Sequence, residues 1–149
     1  MIRTTPEIEV FEHCDCSDLE VARLLKLVRL AFPLCLEQPG REPPDLPKLC
    51  RLEINIVSDQ AIAKIHGEFM DDPTPTDVIT FHHGEIFVSA DTARSGAPGA
   101  GSPPWKELLL YAIHGFLHLN GHVDQKEPDR SEMYRIQNEI LEKITEVHP

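Results

Sequence analysis

The stretch HGFLHLNGHVDQ, residues 114–125, sets His114 and His118 four residues apart within a run of leucines. In a helix that spacing puts both imidazoles on one face, one turn apart. Their Cβ atoms then lie about 5–6 Å from each other, close enough for both rings to reach one metal ion. Gly121 follows three residues after His118, where a left-handed residue can end the helix and turn the chain back. Asp124 comes three residues later, placed to supply a third ligand, and His122 is its rival for that position. The pattern H-x-x-x-H-x-x-G-x-x-D has the spacing of the HExxHxxGxxH zinc proteases. Those enzymes need a glutamate after the first histidine as general base, and here Gly115 stands in that place, which argues against a peptidase. Two histidines and a carboxylate also fit a non-haem iron site, but the helical placement favours zinc or a similar Lewis acid. Two buried histidines satisfied by hydrogen bonds are the plainer alternative, and the continued spacing through Gly121 and Asp124 weighs against it. Tyr111 and Glu107 extend the same face backwards, so that Glu107 either orients a ligand histidine or faces water.

The histidine helix should run from near Trp105 to near Gly121. Before it, EIEVFEH (Glu7–His13) alternates as a first strand, and Ser17–Phe32 reads as a helix with a capping box of Ser17 and Glu20. Pro33–Pro47 reads as a connector. RLEINIVSD is a strand with Leu52, Ile54 and Ile56 on one face and Glu53 and Asn55 on the other. DQAIAKIHGEFM is a short helix with Ile62, Ile65 and Phe69 inward. TDVITF and EIFVSA form a hairpin through His82–Gly84, and Arg94–Pro104 should be a flexible loop. A closing amphipathic helix begins at Asp129, with Met133, Ile136, Ile140, Ile144 and Val147 at helical spacing. The order β-α-β-α-β-β-α-α predicts an α+β fold: a single domain over residues 1–149, with a small mixed four-stranded sheet packed by helices.

Composition narrows the function. The chain has 149 residues, 41% apolar and 26% charged, as expected of a globular protein with a real core. No apolar run is long enough to span a membrane, and MIRTTPEIEV has no signal-peptide core, so no membrane partner and a cytoplasmic location are expected. Of the cysteines, Cys14, Cys16, Cys35 and Cys50, none forms a CxxC pair; HCDC (His13–Cys16) is a weak metal motif and reads more simply as ordinary thiols. The net charge of −11 argues against a general nucleic-acid binder, because phosphate affinity comes mainly from lysine and arginine. An RNA substrate would need a local basic surface or a metal ion to offset the repulsion.

Two blocks, PTPTDVITF (Pro73–Phe81) with GEIFVSADTA (Gly84–Ala93), and HGFLHLNGHVD (His114–Asp124), resemble the YbeY family of metal-dependent endoribonucleases. The resemblance runs from about Arg51 to the C-terminus. It implies an α+β fold, one Zn2+ per chain, and hydrolysis of single-stranded ribosomal RNA. It also implies a role in maturing the small-subunit RNA and in ribosome quality control, with the small subunit and its proteins as partners. His114 and His118 carry over as metal ligands, and Asp124 stands where the family has a third histidine. An aspartate partly neutralises a bound cation, so a weaker Lewis acid and a cleavage optimum at higher pH are expected. The family also places an arginine five residues before Pro75, and this chain has Met70. Met70 cannot hold a phosphate; His66, His82 or His83 could supply a donor instead. Thr76 and Asp77 should order the turn entering the hairpin, with chemistry by Asp77 the less expected role. A non-catalytic ribosome-assembly factor with a structural metal is the alternative function.

Overall fold

Residues 5–100 and 102–148 are described by the computed structural model. Period-two alternation makes the strands β1 (Glu7–Glu12), β2 (Arg51–Val57), β3 (Val78–Thr80) and β4 (Glu85–Ser89). They form one sheet in the order β1-β2-β4-β3, with β1, β2 and β4 parallel and β3 antiparallel to β4. This is the mixed four-stranded sheet that the sequence predicts. Ile8, Leu52, Ile54, Ile56, Ile86 and Val88 bury on one face. That face is covered by α1 (Val21–Leu36) and α4 (Pro104–Leu119), and α5 (Asp129–Val147) packs on both helices. A smaller apolar cluster of Val57, Ile62 and Ile79 lies under α2 (Asp59–Met70), on the opposite face.

The central element is α4. Leu108, Leu109, Ala112, Ile113, Phe116 and Leu117 are all fully buried, so the helix is apolar on most of its circumference. Each such Leu, Ile or Phe contributes about 1.5–3 kcal/mol through burial, enough to carry two half-buried imidazoles on the remaining strip. Gly115 lets α4 approach the sheet: a Cβ there would stand 3.0 Å from Ile86 Cδ1 and from Thr80 Oγ1. The site of a protease-type glutamate is therefore filled by the sheet itself.

Several local expectations are corrected. The capping box does not form. Glu20 takes a left-handed conformation (φ 48) and α1 begins at Val21 without a side-chain cap. Leu19 is fully buried, and Arg94 ties down the preceding loop through Asp18 and the Asp15 carbonyl, which delays the start of the helix. The same helix runs through Pro33 to Leu36, because Phe32 and Cys35 continue its buried stripe beyond the proline. Much of the expected Arg94–Pro104 loop is helical: α3 spans Ala90–Ala100, nucleated by the Ser89 hydroxyl accepting from Thr92 N (3.0 Å) and by buried Ala90 and Ala93. Gly101 of that stretch, like residues 1–4 of the N-terminus, lies outside the described residues. Phe69 and Val147, expected inward, are 66% and 69% exposed; both sit at the ends of their helices, beyond the packed surface.

The proline-rich connector is more than a tether. Gly40 N donates to Asn120 O (2.9 Å), Glu42 N to Gly121 O (3.1 Å) and Asp45 N to Leu119 O (2.8 Å), so it pairs along the end of α4. At Gly40 a Cβ would come within 2.3 Å of the Gly121 carbonyl atoms, which are backbone and cannot rotate away. Gly40→Ala is therefore expected to destabilise the protein by about 1–3 kcal/mol through overpacking, seen as a lower urea midpoint with an unchanged slope. A midpoint equal to that of the wild type would refute the close approach.

Candidate metal centre

The end of α4 is built by hydrogen bonds. Gly121, at φ 95, follows the C-cap Asn120, its N–H donates to His118 O (3.1 Å), and His122 N–H reaches back to Leu117 O (3.0 Å). This pair of bonds is the Schellman arrangement, which reverses the chain sharply and needs a residue that tolerates positive φ. Asn120 is buried and donates its side-chain amide to Cys35 O (2.9 Å), locking the reversal onto α1.

The reversal brings Asp124 under the two histidines. Its Oδ2 lies 3.4 Å from His114 Nε2 and 3.5 Å from His118 Nε2, and the two Nε2 atoms are 3.0 Å apart. These three residues have donor atoms within 4.8 Å of one another and could hold a metal ion. Hydrogen bonding sets the ring orientation. His118 Nδ1 faces the His122 carbonyl (3.0 Å), which can only accept, so Nδ1 carries the proton. His114 Nδ1 likewise donates to Gln137 Oε1 (2.7 Å). As neutral rings they would point Nε2 lone pairs at each other and at the carboxylate. That is a repulsive arrangement alone and a coordinating one around a cation, so the donor set fits zinc. Burial, followed by the neighbouring His114, lowers the His118 pKa and favours the neutral ring that a ligand requires; Asp124 acts in the opposite direction.

The other sequence candidates sort by geometry. His122 turns away, its Nε2 facing Gln38 O (2.6 Å), so Asp124 and not His122 joins the histidines. Glu107 does not orient His114: its carboxylate lies beside the Tyr111 hydroxyl, where burial first and this charge second push the tyrosine pKa up. Gln137, from α5, fills that role and went unnoticed in the sequence, where only its buried register on an amphipathic helix marks it. Asp77 accepts Ser89 N–H through its carbonyl (3.0 Å), which fixes the entry to the hairpin. Asp77 also lines a cavity of about 210 Å³ with His114, Asp124 and Tyr134. Met70 and His82 line a larger one, about 380 Å³, together with His114 and His118. His66 bonds to Thr74 O and His83 pairs with Glu85 instead. In HCDC, the Cys14 and Cys16 sulfurs lie 3.8 Å apart and the His13 ring is taken by Asn55. Among the described residues they form no metal-ligand group, and burial pushes the Cys16 thiol up to about 12.

Zinc titration against a competing chromophoric chelator should separate these roles. His122→Ala is expected to bind one equivalent as the wild type does, whereas Asp124→Ala loses the tight site. Gln137→Leu should keep the fold and weaken zinc binding about 10–100-fold, the usual cost of losing a partner that orients a ligand. Tight binding retained by Asp124→Ala and lost by His122→Ala would reverse the assignment.

A family model described as Endoribonuclease YbeY matches residues 17–145. A protein named Endoribonuclease YbeY from Frankia alni is 30% identical, covering 89% of this chain and 79% of its own. One of the same name from an Arthrobacter strain is also 30% identical, covering 85% of this chain and 86% of its own. A solution structure from Thermotoga maritima shares the fold, with a TM-score of 0.63 at 22% identity over 94% of this chain and 90% of that one. The matched residues take in three of the four strands and the histidine helix, and the chain belongs to the endoribonuclease YbeY family.

Proposed function

We propose that this protein is a zinc-dependent endoribonuclease that hydrolyses single-stranded RNA. In this reading it matures small-subunit ribosomal RNA and serves ribosome quality control in the cytoplasm, with the small subunit and its proteins as partners. The observation that carries the reading is the convergence of His114 Nε2, His118 Nε2 and Asp124 Oδ2 in a chain of this family. No helix among the described residues is long and apolar enough to cross a membrane.

His114, His118 and Asp124 would hold the metal, which would polarise a phosphate oxygen and make water a stronger nucleophile. Gln137 and the His122 carbonyl keep both rings aimed at it. Asp77 takes the proton from the attacking water: it shares a cavity with His114 and Asp124, while Glu107 is engaged beside Tyr111. Thr80 and Ile86 press against Gly115, which keeps a carboxylate off the face where a zinc protease has its base.

Met70 supports a second reading, a ribosome-assembly factor with a structural metal. It lines the cavity beside His114 and His118, which no lysine or arginine lines.

Purified protein should cut single-stranded ribosomal RNA, with activity lost in chelator and in His114→Ala. Asp77→Asn should retain zinc and lose about 10²–10⁴-fold in kcat, the usual contribution of a general base. Binding of ribosomal subunits by zinc-loaded wild type that leaves RNA intact would establish the assembly factor instead. Equal cutting by wild type and His114→Ala would expose a contaminating nuclease.

A further inference from the structure

We propose that Arg41 and Lys126 form the phosphate-holding wall that seats the RNA strand beside the candidate metal centre. The inference rests on the nuclease reading and adds the positioning residues which that reading lacks. An acidic chain of net charge −11 needs local cations to hold a polyanion. Neither the cavity at Met70 and His82 nor the one at Asp77 and Tyr134 is lined by a lysine or arginine. A third cavity, of about 430 Å³, borders the same His118 and Asp124 and is lined by both Arg41 and Lys126.

The two cations are placed differently and complement each other. Arg41 belongs to the connector, between Gly40 and Glu42, whose backbone N–H groups bond to Asn120 O and Gly121 O. Its Cα is thus fixed in register with the turn that carries Asp124. The guanidinium is held at one nitrogen by Asp129 Oδ2 (3.0 Å), yet the side chain is 69% exposed, so further N–H donors remain open to a phosphate. Lys126 lies two residues after Asp124, is exposed, and has no ion pair among the described residues. Glu42 lines the same cavity, so Arg41 and Lys126 offset Glu42 and Asp129, and a divalent metal in the proposed site outweighs Asp124 and leaves the wall net positive. A strand with one phosphate at the metal would lay an adjacent phosphate against Arg41 and Lys126.

The test combines cleavage kinetics with fluorescence anisotropy of a labelled single-stranded RNA over a salt series, using zinc-loaded protein. Arg41→Gln and Lys126→Gln should each raise KM and Kd several-fold with kcat nearly kept. Each should also flatten the slope of log affinity against log salt by about 0.7, the value for one phosphate contact on a single strand. Arg41→Lys should recover much of the loss, and Asp129→Asn should bind at least as tightly as wild type. Wild-type cleavage with Gln variants of unchanged KM and salt slope would overturn this inference alone. So would an Asp129→Asn variant as weak as Arg41→Gln, since the pair would then be only structural. A wild type that neither binds nor cuts the RNA removes the nuclease reading, and this inference with it.

Discussion

The reversal of the chain at Asn120–Gly121 is the constraint on which the site depends. The α4 helix is too apolar and too enclosed to supply a polar site from its own length, since beyond Leu110 its strip of free surface carries only His114 and His118. A third donor has to come from outside the helix and return within reach of the second histidine. The positive φ at Gly121 permits that return, and the bond from His122 N to Leu117 O fixes its pitch. The same turn presents the His122 carbonyl to His118 Nδ1, so one backbone conformation both delivers a ligand and selects a tautomer.

Burial and coordination pull in the same direction at this point. Asn120 is buried and bonded to Cys35 O and Leu36 O, while the connector pairs with Leu119, Asn120 and Gly121. The carbonyls of Leu119, Asn120, Gly121 and His122 thus all accept a bond, and the turn is held from two sides. The proximity of two Nε2 lone pairs is tolerable because tertiary bonds at Nδ1 hold the rings, and because the Asp124 carboxylate offers a cation a complete set of donors.

The legible part of this architecture is the part written in short periods. Alternation in RLEINIV and EIFVS marked the strands, and four-residue spacing marked the histidine pair, with Gly121 marking the turn. What escaped notice depends on residues distant in the chain. Gln137 is 23 positions from His114 and looks like any residue of an amphipathic helix. Gly40 sits among prolines and is required only because Gly121 lies against it. The failed capping box shows the same limit: Ser17 and Glu20 have the right spacing, but burial of Leu19 and the grip of Arg94 on Asp18 decide the local backbone. Pro33 reads as a stop, yet the buried face of α1 continues past it to Cys35. Tertiary burial overrode local propensity in each case.

The bond from His114 to Gln137 also imposes an order in time. Synthesis from the N-terminus delivers the connector, the sheet, both histidines and Asp124 before the acceptor that sets the ring of His114. A nascent chain that ends short of α5 has all three donors and no means of aiming the first of them. Its α4 also lacks the cover of Met133, Ile136 and Ile140. The centre thus matures last, when the final helix docks, and a truncated product carries the ligands without the competence.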